Sequence, residues 1–360
     1  MKNHKGINFY ASLIVLASGL LIGFLILLIS DLQQAGPAFL TLLTFGVANG
    51  RNVGDVLMLA APLIFTGLSV AFAFKAGLFN IGASGQFTIG AFVAVFIGIQ
   101  FTFLPAPLRI LCSVIAAAIT GGLWGMIPGI LKAFYNVHEV ISSIMLNYIG
   151  MFLVNILILN SIFDAGRAST VRLPRSSALP SFGLEHLFTD GVRSSHINIG
   201  IILAILMSIL LQLVETKTIF GFELKMIGRN SEAARYAGID KKRGTIWCMA
   251  ISGVLAGLGG SVNYLVTTGL AISSLDVLSP QGFMGISVAL LAASHPLGVV
   301  LSGVLVSYLF LGATRMQMFG FAGEIVDIVL AVIIYLCAFV LLIRKFLLKR
   351  TEQRKAGNDS

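Results

Sequence analysis

Long apolar stretches separated by short polar ones set the pattern of this chain. Apolar runs fall near 9–29, 57–74, 86–104, 108–131, 140–162, 197–214, 245–266, 281–294, 297–312 and 325–343. Several exceed the ~18 residues that span a bilayer core at ~1.5 Å rise per residue. The pattern predicts an all-α fold: a polytopic transmembrane helical bundle of about ten spans, read as one transmembrane domain over 1–360. The first run, Phe9 to Ile29, has 21 residues behind Lys2 and Lys5. That is longer than the ~7–15-residue core of a signal peptide, so it reads as an uncleaved first helix. Two polar segments interrupt the spans. Segment 163–196, with Pro174, Pro180 and many Ser and Arg residues, reads as an extracellular loop with local structure, and 215–244 as a cytoplasmic segment.

Composition sharpens the class. Apolar residues make up 57% of the chain and charged residues 11%, with a mean hydropathy of +0.95. A soluble domain carries about 25% charged residues. A soluble enzyme, a disordered chain and a secreted disulfide scaffold are thereby excluded. Cys112, Cys248 and Cys337 are isolated, in apolar surroundings and without a Cys-x-x-Cys pair, so they read as packing residues.

The net charge of +9 concentrates in 215–244 and in the tail from Arg344. Such clusters mark cytoplasmic faces of a membrane protein rather than a nucleic-acid partner. With ten spans and both termini inside, Lys2, Lys5, Lys75, Lys132, Lys217, Lys225, Lys241, Lys242, Lys345, Lys349 and Lys355 all fall inside. Arg51, Arg109, Arg167, Arg172, Arg175, Arg193 and Arg315 fall outside. The lysines favour an N-in, C-in orientation in a bilayer.

An internal echo accompanies this topology. Ser84-Gly85-Gln86, followed by Gly90, Val93 and Ala94, matches Ser279-Pro280-Gln281, followed by Gly285, Val288 and Ala289, at the same spacing. The two segments run in opposite directions across the predicted bundle, as an inverted five-plus-five repeat requires. Gly/Pro-interrupted pairs of this kind mark substrate paths in transporters; chance matching of abundant small residues is the alternative.

Four small residues break the helix between Lys75 and Gln86, where Asn80 and Gln86 add amides. Non-helical backbone at membrane depth is tolerated only inside protein or against a wet cavity, and unpaired amides in hydrocarbon are costly. The segment is either a broken helix lining a path or a cytoplasmic turn. Amides both donate and accept hydrogen bonds, so Asn80, Gln86, Asn147, Asn263 and Gln281 are the candidate substrate-path residues. Asn147 and Asn263 have a competing reading as ties between helices. Phe72, Phe74 and Phe79 are aromatic candidates to stack on a ligand beside them.

In 215–244, Asn230 suits an N-cap, Glu232 the first turn, Arg235 the last and Gly238 the left-handed position beyond the helix. A two-turn helix is predicted, with Ala233, Ala234 and Ala237 on one narrow face. Too short to be stable alone, it needs a docking partner.

The strongest family signal lies in Pro62–Phe72, Gly77–Gln86, Met145-Leu146-Asn147-Tyr148, Gly228–Ile239 and His295-Pro296-Leu297-Gly298. Taken together these resemble permease subunits of bacterial ABC importers, in the family serving branched-chain amino acids, ribose-type sugars and nucleosides. The nearest likeness is to the nucleoside branch, which works with a basic-membrane-protein-type lipoprotein. The chain departs at Ser84, where the family often has an acid, and at Ala292-Ala293-Ser294, where a Gly-Arg-Asn run is common.

The resemblance implies a translocation subunit rather than an enzyme, carrying nucleosides across the bacterial cell membrane by alternating access. A sugar or branched-chain amino acid is the alternative cargo, and an ion-coupled secondary carrier the rival class. Carboxylates Glu139, Asp276, Glu324 and Asp327 fall near span ends, against the carrier. The resemblance makes 215–244 the segment that couples to a cytosolic ATPase, through Gly228, Arg229, Asn230, Ala233, Ala234 and Gly238. It also implies an ATPase of two fused cassettes, a second homologous permease and a substrate-binding lipoprotein. No Gly-x-x-x-x-Gly-Lys-Ser/Thr sequence is present, so this chain binds no cofactor on this reading, and ATP and Mg²⁺ belong to the ATPase. The histidines lack His-Glu-x-x-His spacing, which leaves no metal site.

Overall fold

In hydrocarbon every backbone N–H and C=O must be paired within the protein, and this chain meets that requirement almost entirely with helices. The computed structural model describes residues 2–273 and 276–337, together with Phe339 and Ile343. The basic tail from Arg344, the end of the last predicted span and the side chain of Cys337 lie outside the described residues.

The order is α1 (Lys2–Ser30), α2 (Ala35–Thr44), α3 (Gly50–Lys75), α4 (Ala83–Gln100), α5 (Ala106–Tyr135), α6 (Glu139–Ser161), α7 (Leu184–Leu187), α8 (Gly200–Lys217), α9 (Ile219–Arg229), α10 (Ser231–Tyr236), α11 (Lys241–Tyr264), α12 (Pro280–Leu291), α13 (Pro296–Met316) and α14 (Gly323–Cys337). Among the described residues, eight helices are long and apolar enough to cross a membrane: α1, α3, α4, α5, α6, α8, α11 and α13. The ten predicted spans all correspond to helices. At 12 residues, however, α12 covers only part of a bilayer core. The short α2 was not anticipated; it packs beside α13, with Gly312 against the backbone of Leu42 and the Tyr308 hydroxyl donating to the Leu43 carbonyl.

The inner and outer ends follow from the basic residues. At one end Lys75 pairs with Glu215, Lys242 lies over the Phe134 ring and Lys241 reaches Ser231. At the other, Arg51 meets Asp190, Arg109 donates to Ser176, and Arg315 lies over Phe45. The lysine-rich end is the inner one by the positive-inside rule.

The core is α3, sheathed by α8, α11, α12 and α13, with most of its residues buried. The closest packing joins α5 to α11, and glycine makes it possible. A Cβ on Gly253 would stand 2.3 Å from the Gly121 carbonyl oxygen, and one on Gly125 2.6 Å from that of Met249. Lipid gives helices no hydrophobic reason to associate, so close backbone approach and dispersion supply it. Gly121, Gly125 and Gly129, with Gly253 and Gly257, form a small-residue ladder that the sequence reading did not single out. Leu108, Leu111, Ile115, Ile119 and Leu123 are exposed on the opposite face of α5.

The outer segment is structured. A hairpin pairs Phe163–Asp164 with Ser169–Thr170, and Leu179 N–H donates to the Leu265 carbonyl at 2.8 Å. Ser177 donates to the Gly98 carbonyl at 2.6 Å, and His196 N–H to Asp55 at 3.0 Å. These bonds cap the outer ends of α4 and α11 and tie the segment to the first turns of α3.

Candidate functional site

Helix α3 ends at Lys75, and Gly77, with φ +70°, turns the chain back along it. The extended stretch to Gly82 re-enters the bundle, so that α4 starts beside Ser69 rather than at the inner surface. Asn80 is fully buried there. Its Nδ2 lies 2.7 Å from Ser252 Oγ, 2.8 Å from Gln86 Oε1 and 3.1 Å from Ser69 Oγ. Gln86 Nε2 donates back to Asn80 Oδ1 at 3.1 Å. Asn147, from α6, accepts from Gly85 N–H at 2.8 Å and donates to the Ile81 carbonyl at 3.0 Å. It therefore caps α4 from a neighbouring helix, where Gly82 offers no side chain.

The structure thus settles the surroundings of these three candidates. The segment is a helix break inside protein, and the amides of Asn80, Gln86 and Asn147 are engaged by protein partners. Phe74 and Phe79 stack on one another with centroids 5.3 Å apart, and Phe72 is buried in the core.

Helix α12 begins against the same point. Ser84 Oγ donates to the Ser279 carbonyl at 2.8 Å, and a Cβ on Gly282 would lie 2.3 Å from Ser84 Cα. Gln281 borders Pro62 of α3, and Gly285 packs on Thr66, so α12 runs along α3 towards the inner end. The two echoing segments therefore each open a helix, and the two N-termini meet near the middle of α3.

Two cavities flank the junction. One of about 240 Å³ lies between Thr88, Asn155, Tyr264, Ser273 and Gln281. The other, about 40 Å³, lies among Pro62, Asn263, Gln281, Met284 and Phe310. Of the five amides singled out from sequence, Asn263 and Gln281 line cavities. Tyr264, Thr88 and Asn155 were missed, because hydroxyl and amide side chains on apolar helices carry no positional signal without the packing.

At the inner end, α9 buries Gly221, Leu224 and Ile227 on one face. A Cβ on Gly228 would stand 2.3 Å from the Lys75 carbonyl oxygen, so α9 rests directly on the turn that leads to Asn80. Lys75 Nζ lies 3.2 Å from Glu215 Oε2, and Lys225 donates to the Glu215 carbonyl, tying α3, α8 and α9 together. The predicted short helix is α10: Asn230 Oδ1 accepts from the N–H groups of Glu232 and Ala233, and Gly238 has φ +79°. One feature differs. Ala234 is buried within the chain, whereas Ala233 and Ala237 are exposed, so the three alanines do not share one free face. Arg229 and Asn230 are exposed.

A core helix surrounded by spans, two interrupted helices meeting end to end inside it, and an inner platform resting on the break define a membrane permease. The chain belongs to the family described as branched-chain amino acid transport system / permease component, whose family model matches residues 52–338. It is similar to the guanosine ABC transporter permease protein NupP of Bacillus subtilis, with 39% identity over 347 residues, covering 96% of this chain and 97% of that one. It is also similar to the nucleoside ABC transporter permease protein NupB of Lactococcus lactis, at 36% identity over 96% of this chain and 95% of that one. The glucose ABC transporter permease protein TsgB13 of Haloferax volcanii is 31% identical over 78% of this chain and 74% of its own. No solved structure matches. The chain is a multi-pass protein of the cell membrane.

Proposed function

We propose that this chain is the translocation subunit of an ATP-driven importer of nucleosides. The observation that carries the reading is the near-full-length likeness to permeases named for guanosine and for nucleosides. The chemistry of the larger cavity supports it: Thr88, Asn155, Tyr264, Ser273 and Gln281 offer hydroxyls and amides to match a ribose and a base edge. The likeness to a glucose permease favours a sugar as the second reading.

ATP and Mg²⁺ are bound by a separate cytosolic ATPase of two fused cassettes. That ATPase docks on 215–244 through Gly228, Arg229, Asn230 and the α10 region from Ala233 to Gly238. A second homologous permease completes the pore, and a substrate-binding lipoprotein delivers the nucleoside to the outer face. Closure of the cassettes moves α9, and the contact of Gly228 with the Lys75–Gly77 turn passes that motion to the start of α4. Access then alternates about the junction of α4 and α12.

The test is uptake of a radiolabelled nucleoside panel, with ribose and leucine as controls. Cells lack this gene or carry it back, with a wild-type partner ATPase or one mutated at its phosphate-binding lysine. Nucleoside uptake requiring both genes is expected. Uptake that survives the dead ATPase would return the chain to the ion-coupled carriers, and a response to ribose or leucine alone would reassign the cargo.

A further inference from the structure

A groove of about 610 Å³ opens at the inner end of the molecule, between the start of α9 and the start of α11. Ile219 and Phe220 line it from one side and Trp247 and Ile251 from the other, while Glu223, Asp240 and Arg243 supply charge. Trp247 and Ile251 lie one and two turns beyond Arg243 along α11, so the groove runs from the inner surface ~12 Å into the span. That depth is most of one leaflet's share of a ~30 Å hydrocarbon core. Ile219 is 78% exposed and Trp247 47% exposed. Apolar walls this open, with an indole near the charged inner end where interfacial tryptophans gather, belong against lipid rather than cytosol.

The charges in the groove are not matched to one another. Among the described residues, neither the Glu223 carboxylate nor the Arg243 guanidinium takes part in an ion pair or a side-chain hydrogen bond. Asp240 caps α11 with one oxygen, which accepts from the Arg243 N–H at 3.1 Å. Elsewhere at this end Lys75 is paired with Glu215 and Lys132 with Glu139. A guanidinium and two carboxylates around one apolar groove suit a ligand that carries both signs at its head and hydrocarbon behind it.

We propose that the groove binds an ethanolamine phospholipid of the inner leaflet. Arg243 takes the phosphate, the anion its planar fork fits best. Glu223 and Asp240 take the ammonium, which like that of lysine offers three N–H donors. The acyl chains then follow Trp247 and Ile251 into the leaflet. A choline headgroup has no N–H to donate. A glycerol headgroup brings no cation and sets its phosphate beside two carboxylates. A protein occupant fits less well, because the groove reaches into hydrocarbon, and Ala233 and Tyr236, exposed on α10, do not line it. The site stands whatever the cargo.

The purified full chain is equilibrated in detergent with equimolar phosphatidylethanolamine, phosphatidylcholine and phosphatidylglycerol of matched acyl chains, and its first bound lipid is identified by native mass spectrometry. The ethanolamine lipid is expected to exceed the choline lipid by about fivefold, the factor of one partly exposed ion pair. Glu223→Gln should cut that ratio to about half or less and raise the glycerol lipid. Arg243→Gln should lower the ethanolamine and choline adducts together and leave their ratio unchanged, because both carry the phosphate. Thermal unfolding without added lipid reports that each variant is folded. Equal ethanolamine and choline adducts on the wild type, or a ratio that Glu223→Gln leaves unchanged, overturns the proposal. So does a wild-type preference for phosphatidylglycerol, which would mark attraction to the basic inner surface in general. The same measurement on the co-purified assembly with its ATPase should keep the preference; its loss there would show that a protein covers the groove, and overturns the proposal as well.

Discussion

Ser84 Oγ donates to the backbone carbonyl of Ser279 at 2.8 Å, and the two residues stand 195 positions apart in the chain. They hold corresponding places in Ser84-Gly85-Gln86 and Ser279-Pro280-Gln281, the two segments that echo each other. Each segment breaks a span and opens a helix, and the two openings meet beside α3. Irregular backbone at membrane depth is thereby enclosed by protein and bordered by cavities, as its unpaired groups require.

Close approach at this junction depends on Gly282, which packs directly against the backbone of Ser84. Gly282→Val would push a side chain into the Ser84 backbone, 2.3 Å from where its Cβ must go. Uptake should be lost and thermal stability should fall. Ser84→Ala removes a single bond of the kind that averages ~0.6 kcal/mol in membranes, and should leave uptake within about threefold of wild type. Parallel uptake and thermal-shift measurements check the pair.

The amide pair of Asn80 and Gln86 is expected to act on stability. Asn80→Ala strips partners from Gln86, Ser69 and Ser252 at once, costing ~1–3 kcal/mol. A double-mutant cycle with Gln86→Leu should show coupling of about 0.5–3 kcal/mol in thermal unfolding. A change in KM without a change in stability would instead place these amides on the substrate.

Exposure separates docking from packing on α10. Ala233→Glu and Tyr236→Ala alter exposed positions, Tyr236 being 93% exposed, and should weaken ATPase co-purification while the permease keeps its stability. Ala234→Glu forces a charge into a buried site and should lower both. Normal co-purification with Ala233→Glu and Tyr236→Ala would move the docking surface elsewhere.

Lys75 neutralises Glu215, whose other oxygen, Oε1, is buried without a partner. Lys75→Met leaves that carboxylate without its ion-pair partner, with only the charge of Lys225 nearby. The expected loss is roughly 1–3 kcal/mol, below that of a fully buried pair because Lys75 is partly exposed. Lys75→Met with Glu215→Gln should recover most of the stability, as thermal unfolding in detergent will show.

Asp190, in the outer segment, is held below the ordinary carboxylate value of 3.8 by the N–H groups of Arg193 and then Val192, with Arg51 adding attraction. A depressed folded pKa contributes stability above the unfolded value and loses it as pH falls through the folded one. Protease protection around 189–195 should be level from neutral pH to about pH 4 and decline below it. Asp190→Asn should remove that decline.

Much of the fold was legible because bilayer-length apolar runs and lysine placement are one-dimensional signals. The positions of Lys75, Lys132, Lys217 and Lys241 separated the inner from the outer end before any packing was known. The caps of α10 were equally readable, since Asn230 and Gly238 act on backbone within a few residues of themselves. Short α2 was not: a ten-residue helix with Gly, Pro and two Thr beside a long span carries no signal of its own. The Gly121–Gly125–Gly129 ladder on α5 was present as spacing, but with so many glycines in the chain only its partner helix gives it meaning.

The amides show where the sequence by itself stops. It determined that Asn80 and Gln86 should find partners, because hydrocarbon supplies none, and left Asn147, Asn263 and Gln281 as candidates for the substrate path. Only the tertiary structure decided which partner. Asn80, Gln86 and Asn147 are closed on Ser69, Ser252 and the backbone of the α4 break. Asn263 and Gln281 instead face cavities. The difference rests on helices more than a hundred residues apart coming within bonding distance, and hydropathy, which depends on each residue alone, carries no record of which helices meet.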